Sequence, residues 1–192
     1  MTSDLSRLLN ALGLVAVDTV LVLAFADQLW FRDLPCPICI LQRAGFIAAG
    51  FGLALNLMFG PRPSHYSLAI LGAMVGSIVS ADQVLHYIVP GSGAYGDAIF
   101  GLHLYTWSLI MFVAVVLGSA VMLLFDRQFD TAGPLPWRLK VLPMSAVALL
   151  ALLTLGNIAS ALAICGAGLC PEAPSGYLIF HENLGLALAK TP

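Results

Sequence analysis

Five long apolar stretches take up most of this chain and decide its fold class. They cover approximately residues 9–31, 40–59, 67–89, 103–125 and 142–164. Each has about the 20 residues that an α-helix needs to cross the hydrocarbon core of a bilayer. Only 9% of the residues are charged, and the mean hydropathy of +0.95 lies far outside the range of soluble domains. The sequence therefore predicts an all-α integral membrane protein, a bundle of about five transmembrane helices.

The same pattern leaves no room for a separate soluble domain. Residues 1–192 are predicted to form a single transmembrane bundle that ends in a short outer tail over 165–192, too short to span a bilayer. A net charge of −2 argues against a nucleic acid as a partner, so the lipid bilayer is the partner that composition indicates.

The basic residues favour one orientation in the membrane. With the amino terminus in the cytoplasm, five of the eight basic residues lie inside and three outside, in agreement with the positive-inside rule. In this orientation both pairs of cysteines follow an odd number of crossings. All four cysteines then reach the outer face, where disulfides persist.

The segment Cys36-Pro37-Ile38-Cys39 carries the clearest chemical signal. Two cysteines at this spacing can form a disulfide, and a helix amino terminus stabilises negative charge on sulfur. Pro37 suits a first helical turn, where its missing N–H is not needed. Arg43 lies four residues after Cys39, on the same helix face, and is expected at the membrane surface with little packing around it. The pattern predicts a redox-active dithiol with a cation beside it.

A second pair, Cys165 and Cys170, closes a loop that contains two glycines. A disulfide that closes so short a loop removes little entropy from the unfolded chain, so it would stabilise the fold only weakly. Thiol–disulfide exchange is the favoured interpretation. A site in which the four cysteines bind zinc or Cu(I) stays open as an alternative, although no metal is predicted.

Polar residues inside the apolar stretches need an explanation, because placing a charge at the middle of the bilayer costs free energy. Asp82 and His86 are four residues apart near the outer end of the third stretch, where a carboxylate beside an imidazole could hold a defined tautomer and pass protons. A structural hydrogen-bonded pair is the alternative, and the neighbouring Gln83 is predicted to be a packing contact. Asp18 is expected to face the interior and to be hydrogen-bonded or ion-paired.

Two further groups allow packing interpretations. Small residues three and four positions apart predict a ridge on the third helix that lets another helix approach closely. Aromatic and polar residues that open the fourth helix are either an interfacial belt or the lining of a headgroup pocket. The ridge is Gly72, Gly76 and Ser80, and the opening group is His103, Tyr105, Thr106 and Trp107.

The run from Leu34 to Arg43 resembles the DsbB family of bacterial inner-membrane thiol:quinone oxidoreductases. In that family a Cys-X-X-Cys opens the second transmembrane helix, and an arginine follows four residues after the second cysteine. The resemblance, over about residues 10–125, implies that Cys36 and Cys39 are the dithiol and that Arg43 and His86 help to bind a quinone, ubiquinone or menaquinone. It also implies a thioredoxin-like dithiol partner in the periplasm.

The chain departs from the family pattern in its second cysteine pair. Family members carry that pair in the outer loop between the third and fourth helices, whereas here the loop over 90–100 has no cysteine and the pair follows a fifth helix. We therefore expect a disulfide-generating enzyme whose catalytic cysteines are Cys36, Cys39, Cys165 and Cys170. A non-catalytic subunit or assembly factor, and a reductase that runs electrons outward, are the alternatives.

Overall fold

The computed structural model describes residues 3–31, 33–89, 91–96, 98–130, 137–166, 168, 170 and 176–178. Most of them belong to five helices: α1 (Ser3–Ala26), α2 (Pro37–Phe59), α3 (Pro63–Tyr87), α4 (Leu104–Leu123) and α5 (Trp137–Cys165). A π-helical turn (Asp27–Phe31) continues α1, and a hairpin of β1 (Ala98–Ile99) and β2 (Leu102–His103) precedes α4. All five helices are long and apolar enough to cross a membrane. The predicted fold class is confirmed, and the protein is a multi-pass membrane protein.

The helices extend beyond the apolar stretches at several of their starts. α2 begins at Pro37 and α3 at Pro63, each with a proline in the first turn. Proline is suited to this position because the first N–H groups of a helix have no partner inside it. The helices therefore include polar first turns that hydropathy alone does not count. Most of the predicted outer tail, residues 171–175 and 179–192, lies outside the described residues.

α2 is the central helix of the bundle and packs against each of the other four. A single apolar core contains residues from all five helices, among them Leu14, Phe46, Ala73, Phe112 and Leu150. The rings of Phe46 and Phe112 stack with their centroids 3.9 Å apart. The core therefore holds the start of α2, where the first cysteine pair lies, between α1, α3 and α4.

Glycines allow α2 and α3 to come into backbone contact. A Cβ added to Gly72 would lie 2.6 Å from the backbone nitrogen of Ala49, and one added to Gly52 would lie 2.5 Å from that of Ala69. At Gly76 a Cβ would overlap the Phe112 ring. Gly72, Gly76 and Ser80 are all buried. The small-residue ridge predicted for the third helix is confirmed as a packing surface.

Polar side chains tie the helices together at one end of the bundle. Ser6, Asn10, Asn56, Tyr66 and Gln128 form what we call the Tyr66 cluster. The Asn10 amide donates to the Tyr66 hydroxyl (2.6 Å), that hydroxyl donates to Gln128 Oε1 (3.0 Å), and the Asn56 amide donates to Asn10 Oδ1 (2.9 Å). Because each buried polar atom named here has a partner, the cluster links α1, α2, α3 and the turn after α4 without leaving those atoms unsatisfied.

α5 runs parallel to α1 along one side of the bundle. Leu150 of α5 packs against Gly50, and Phe25 of α1 packs against Gly156. Farther along both helices, Gln28 contacts Ser160. The carboxyl end of α5, which carries Cys165, is therefore at the end of the bundle where α1 finishes and α2 begins. Both cysteine pairs lie at this end, which we call the dithiol end; the Tyr66 cluster lies at the opposite end.

Asp18 is buried as expected, with 2% of its surface exposed, but its predicted hydrogen bond is absent. Neither carboxyl oxygen has a partner within the described part of the chain. Thr19, the nearest candidate in sequence, instead donates to the backbone oxygen of Val15 at 2.7 Å. A helical threonine can donate its hydroxyl to a backbone oxygen of its own helix, and a Thr19 hydroxyl used in this way is not available to Asp18.

The contact at Gly72 predicts a large effect of a small substitution. Replacing Gly72 with alanine should lower the free energy of unfolding by about 1–3 kcal/mol, because the new methyl group meets backbone atoms that cannot move aside. Thermal unfolding of the purified protein in detergent measures this. Gly118→Ala is the matched control, since a Cβ there meets nothing within 4 Å. Equal melting temperatures for the two variants would contradict the packing argument.

Candidate functional site

The first cysteine pair forms the amino terminus of α2. Cys36 is the residue before the first helical turn, and its Sγ accepts the backbone N–H of Cys39 at 3.0 Å. The two cysteines form a disulfide with their Cα atoms 5.0 Å apart. A thiolate on Cys36 could accept the same N–H in the reduced state, since an orphan donor at a helix start favours negative charge. The predicted position of the pair on the helix is confirmed.

A cavity of about 330 Å³ lies beside Cys39. Cys39 is among its lining residues and is half-buried, whereas Cys36 is not among them and has 6% of its surface exposed. The wall is built from the end of α1, the start of α2, α3, the loop before α4, and α4. Its other residues include Leu21, Arg43, Phe46, Gln83, Tyr95, Ile99, Tyr105, Trp107 and Met111. Of the two cysteines, the one that lines this space is therefore Cys39.

Arg43 lines the cavity from inside the bundle. Its side chain is 5% exposed, so the expectation that little packs around it is wrong. One guanidinium nitrogen donates to Gln28 Oε1 (2.6 Å) and the other terminal nitrogen to the backbone oxygen of Ala24 (2.7 Å). The Phe25 ring lies 4.8 Å from Cζ. The π-helical turn after α1 supplies the acceptor that makes this burial possible.

Two buried glutamines connect α2 to α3 behind the disulfide. The Gln42 amide donates to Gln83 Oε1 at 2.8 Å, and the Gln83 amide lies 3.8 Å from Cys36 Sγ as a weak donor. Both glutamines also line the cavity. Gln83 was predicted to be only a packing contact. Its position one residue from Asp82 in an apolar helix was a usable signal, because a buried amide needs partners.

Asp82 and His86 lie on a different face of α3. Both side chains are exposed, and neither is among the residues that line the cavity. The His86 ring contacts Tyr87, with centroids 4.9 Å apart, and Tyr87 contacts Tyr105 of the cavity wall at 5.5 Å. Successive helical residues are rotated by roughly 100°, so turning Gln83 inward turns Asp82 away, and His86, four residues after Asp82, shares the Asp82 face. The structure therefore places Cys39 and Arg43 together at the cavity, whereas Asp82 and His86 lie outside it.

The loop before α4 covers the outer side of the cavity. Tyr95 donates its hydroxyl to the backbone oxygen of Leu34, 2.5 Å away, just before Cys36. Trp107 donates its indole N–H to the backbone oxygen of Ile99 at 3.0 Å and so fixes the hairpin over α4. Tyr105 and Trp107 both line the cavity. These two residues fit the lining of a pocket, whereas His103 and Thr106 of the same group are not among the residues that line it.

Burial is the main cause of a raised pKa for Tyr95, and the negative charge of Asp33 adds to it. A raised pKa keeps the phenol protonated in the folded protein. The bond to Leu34 is therefore present below the ordinary tyrosine pKa of about 10 and is lost only as the pH rises through the higher folded value.

The second pair is also a disulfide. Cys165 and Cys170 are bonded with their Cα atoms 4.3 Å apart, and Cys165 is buried. Because all four sulfurs are held in disulfides, this state offers no thiolate to a metal ion. Leu178 lies 4.0 Å from the position that a Cβ on Gly166 would take, so the segment 176–178 folds back against the end of α5.

Loss of the Tyr95 hydroxyl should free the segment before Cys36. Tyr95→Phe is expected to increase the rate at which a thiol reagent modifies reduced Cys36 severalfold, since one hydrogen bond of about 1 kcal/mol is removed. The increase should persist at every pH below about 10. Tyr87→Phe is the matched control, a tyrosine that packs on Tyr105. Equal modification rates in the two variants would show that Tyr95 does not hold this segment.

Comparison with known proteins agrees with this geometry. A family model described as "Disulfide bond formation protein DsbB" matches residues 6–92, which include the first cysteine pair, α2 and α3. The match is shorter than the resemblance over residues 10–125, and α4, α5 and the second cysteine pair lie outside it. No curated protein and no solved structure matches the chain. Over residues 6–92 the chain is therefore similar to the DsbB family.

Proposed function

We propose that this protein is a membrane protein-thiol:quinone oxidoreductase that supports disulfide bond formation. Electrons leave a periplasmic thioredoxin-like protein, pass through Cys165/Cys170 and Cys36/Cys39, and reach a quinone of the ubiquinone or menaquinone type. The cavity beside Cys39 is the observation that carries the proposal. The match to the disulfide bond formation family over residues 6–92 supports it.

The residues of the cavity suit a quinone headgroup, a flat apolar ring with carbonyl acceptors. A volume of about 330 Å³ falls within the range of small-molecule sites. Leu21, Phe46 and Met111 offer apolar contact to a ring. Arg43 has five N–H donors, and its bonds to Gln28 and Ala24 use two of them. A carbonyl oxygen could accept another, with Cys39 on the same wall.

The proposed reaction balances as a two-electron exchange. Oxidation of the Cys36/Cys39 dithiol to a disulfide releases two electrons and two protons. A bound quinone supplies the acceptor for both. The chain supplies a helix amino terminus that favours a thiolate and the fixed positive charge of Arg43. Exchange with the second pair at the buried Cys36 requires the segment 33–36 to open.

Asp82 and His86 have a smaller part in this proposal than in the sequence-based prediction. We propose that they exchange protons with water at the dithiol end, because both are exposed. The ring contacts from His86 to Tyr87 and on to Tyr105 support a role next to the cavity wall. The cysteines are proposed to face the periplasm because the basic residues favour that orientation and disulfides persist there.

Substitution of Arg43 tests the quinone site. Arg43→Lys keeps the charge but loses the planar set of donors, and should raise the KM for quinone about tenfold or more. Arg43→Ala should also lower stability by about 1–3 kcal/mol, since Gln28 loses its buried partner. Steady-state kinetics and thermal unfolding separate the two effects.

Arg62→Ala is the control for this experiment, because the Arg62 side chain is exposed and lies at the end that carries the Tyr66 cluster. If the KM for quinone is the same in wild type, Arg43→Lys and Arg43→Ala, the proposed binding site is wrong.

Serine variants of the second pair test the proposed electron path. Cys170 is more exposed than Cys165, so an incoming thiolate should attack Cys170 first. Cys165→Ser should therefore trap a mixed disulfide between Cys170 and a thioredoxin-like donor, while Cys170→Ser should not, and both should lose most thiol-oxidising turnover. Non-reducing electrophoresis measures the trapped species. Full turnover in both variants would mean that the donor reacts with Cys36/Cys39 directly.

A further inference from the structure

Gln28 joins the two parts of the molecule that carry cysteines. It lies in the π-helical turn after α1, is 4% exposed, and uses both ends of its amide. Its Oε1 accepts from Arg43 at 2.6 Å. Its Nε2 donates to Ser160 Oγ at 2.9 Å and to the Tyr177 hydroxyl at 3.2 Å. Single-turn π-helical insertions are often found at functional sites, where they redirect a side chain.

The two partners of the Gln28 amide nitrogen flank the second disulfide in sequence. Ser160 lies five residues before Cys165 on α5, and Tyr177 lies seven residues after Cys170. The Ser160 hydroxyl can also donate to Gln28 Oε1, 3.2 Å away. The buried arginine of the cavity is therefore connected, through one amide, to both sides of the Cys165–Cys170 loop.

We infer that Gln28 is a positioning residue for Arg43, and that through Ser160 and Tyr177 it makes the affinity of the cavity for quinone depend on the state of the second disulfide. The inference rests on the proposed function of the cavity. It gives the fifth helix a role in quinone binding. The residues of that helix lie beyond the segment that matches the disulfide bond formation family.

The physical argument concerns the orientation of one amide. An amide can rotate to exchange its oxygen and nitrogen, and only one orientation presents Oε1 to Arg43. Arg43 has only donors and so selects that orientation, and the hydroxyls of Ser160 and Tyr177 then accept from Nε2 and hold the amide in place. When a partner is lost, the guanidinium loses a fixed acceptor in a buried site, and its remaining donors are less well aimed at a ligand in the cavity.

The loop gives this arrangement a redox dependence. With Cys165 and Cys170 bonded, the chain after α5 is held in a closed loop, and the segment 176–178 rests on the end of the helix. Reduction adds two electrons and two protons and opens that loop, so the segment gains conformational freedom. The Tyr177 hydroxyl is then placed near Gln28 for a smaller fraction of the time. The cavity should bind quinone more tightly when the second pair is oxidised.

Equilibrium binding of a short-chain ubiquinone to the purified full-length protein tests the inference without turnover. Gln28→Met, an apolar residue of similar length, should raise the Kd about tenfold. Tyr177→Phe and Ser160→Ala should each raise it about threefold in the wild-type background, and neither should raise it further in Gln28→Met. Thr154→Val is the matched control, because the Thr154 hydroxyl of α5 donates to Leu150 within its own helix.

A second set of variants tests the link to the disulfide. The double variant Cys165→Ala, Cys170→Ala should raise the Kd by the same factor as Tyr177→Phe. The triple variant, which adds Tyr177→Phe to the two cysteine substitutions, should bind quinone no more weakly than the double variant. Thermal unfolding of each protein identifies any variant whose binding changes because it is misfolded. Gln28→Asn, which retains an amide on a shorter side chain, should recover part of the affinity if its partners come within reach.

The outcomes separate the two proposals. If wild-type protein binds neither a short-chain ubiquinone nor a short-chain menaquinone, the proposed function is wrong. If wild type binds and folded Gln28→Met binds equally well, Gln28 does not position Arg43. If Gln28→Met weakens binding but the cysteine double variant does not, the dependence on the second disulfide is overturned while the role of Gln28 remains.

Discussion

A guanidinium inside an apolar bundle must be given hydrogen-bond partners, and this requirement organises the dithiol end of the protein. Arg43 faces inward from α2, the central helix, where water is scarce. The backbone oxygen of Ala24, freed near the end of α1, and the amide of Gln28 meet the requirement. Satisfying Arg43 therefore dictates how α1 ends, and α5 completes the arrangement through Ser160. The guanidinium that lines the cavity therefore connects α2 to the end of α1 and, through Gln28, to α5.

The sequence predicted the helices well, because a bilayer imposes a length and a composition that hydropathy records directly. It also predicted the helix position of Cys36 and Cys39, since Pro37 is a local signal. The burial of Arg43 was not predictable from local pattern, because it depends on a partner fifteen residues earlier in the chain. Asp82 and His86 show the same limit: an i, i+4 pair shares a face, but which face turns inward is decided by packing, here by Gln83 and the glycine contacts with α2.

The fifth helix changes where the second cysteine pair can act. In the predicted family pattern that pair belongs to a loop next to the site, whereas here α5 runs parallel to α1 and delivers Cys165 to the same end of the bundle. A long connection through the membrane thus produces the same general placement as a short loop. The difference is that α5 is rigid and contacts the core through Leu150, so the position of Cys165 is tied to the packing of the whole bundle.

The Tyr66 cluster has a consequence for the motion of the molecule. Its hydrogen bonds join the helices at the end remote from the cysteines, and Asn56 adds a bond to the backbone N–H of Arg62 that fixes the turn between α2 and α3. The dithiol end has an irregular segment before α2, which the Tyr95 hydroxyl joins to the loop before α4. Local opening free energies should therefore fall from one membrane face to the other, so that amide exchange is slowest around Tyr66. Such a gradient allows the helices to separate at the dithiol end while their opposite ends stay in register.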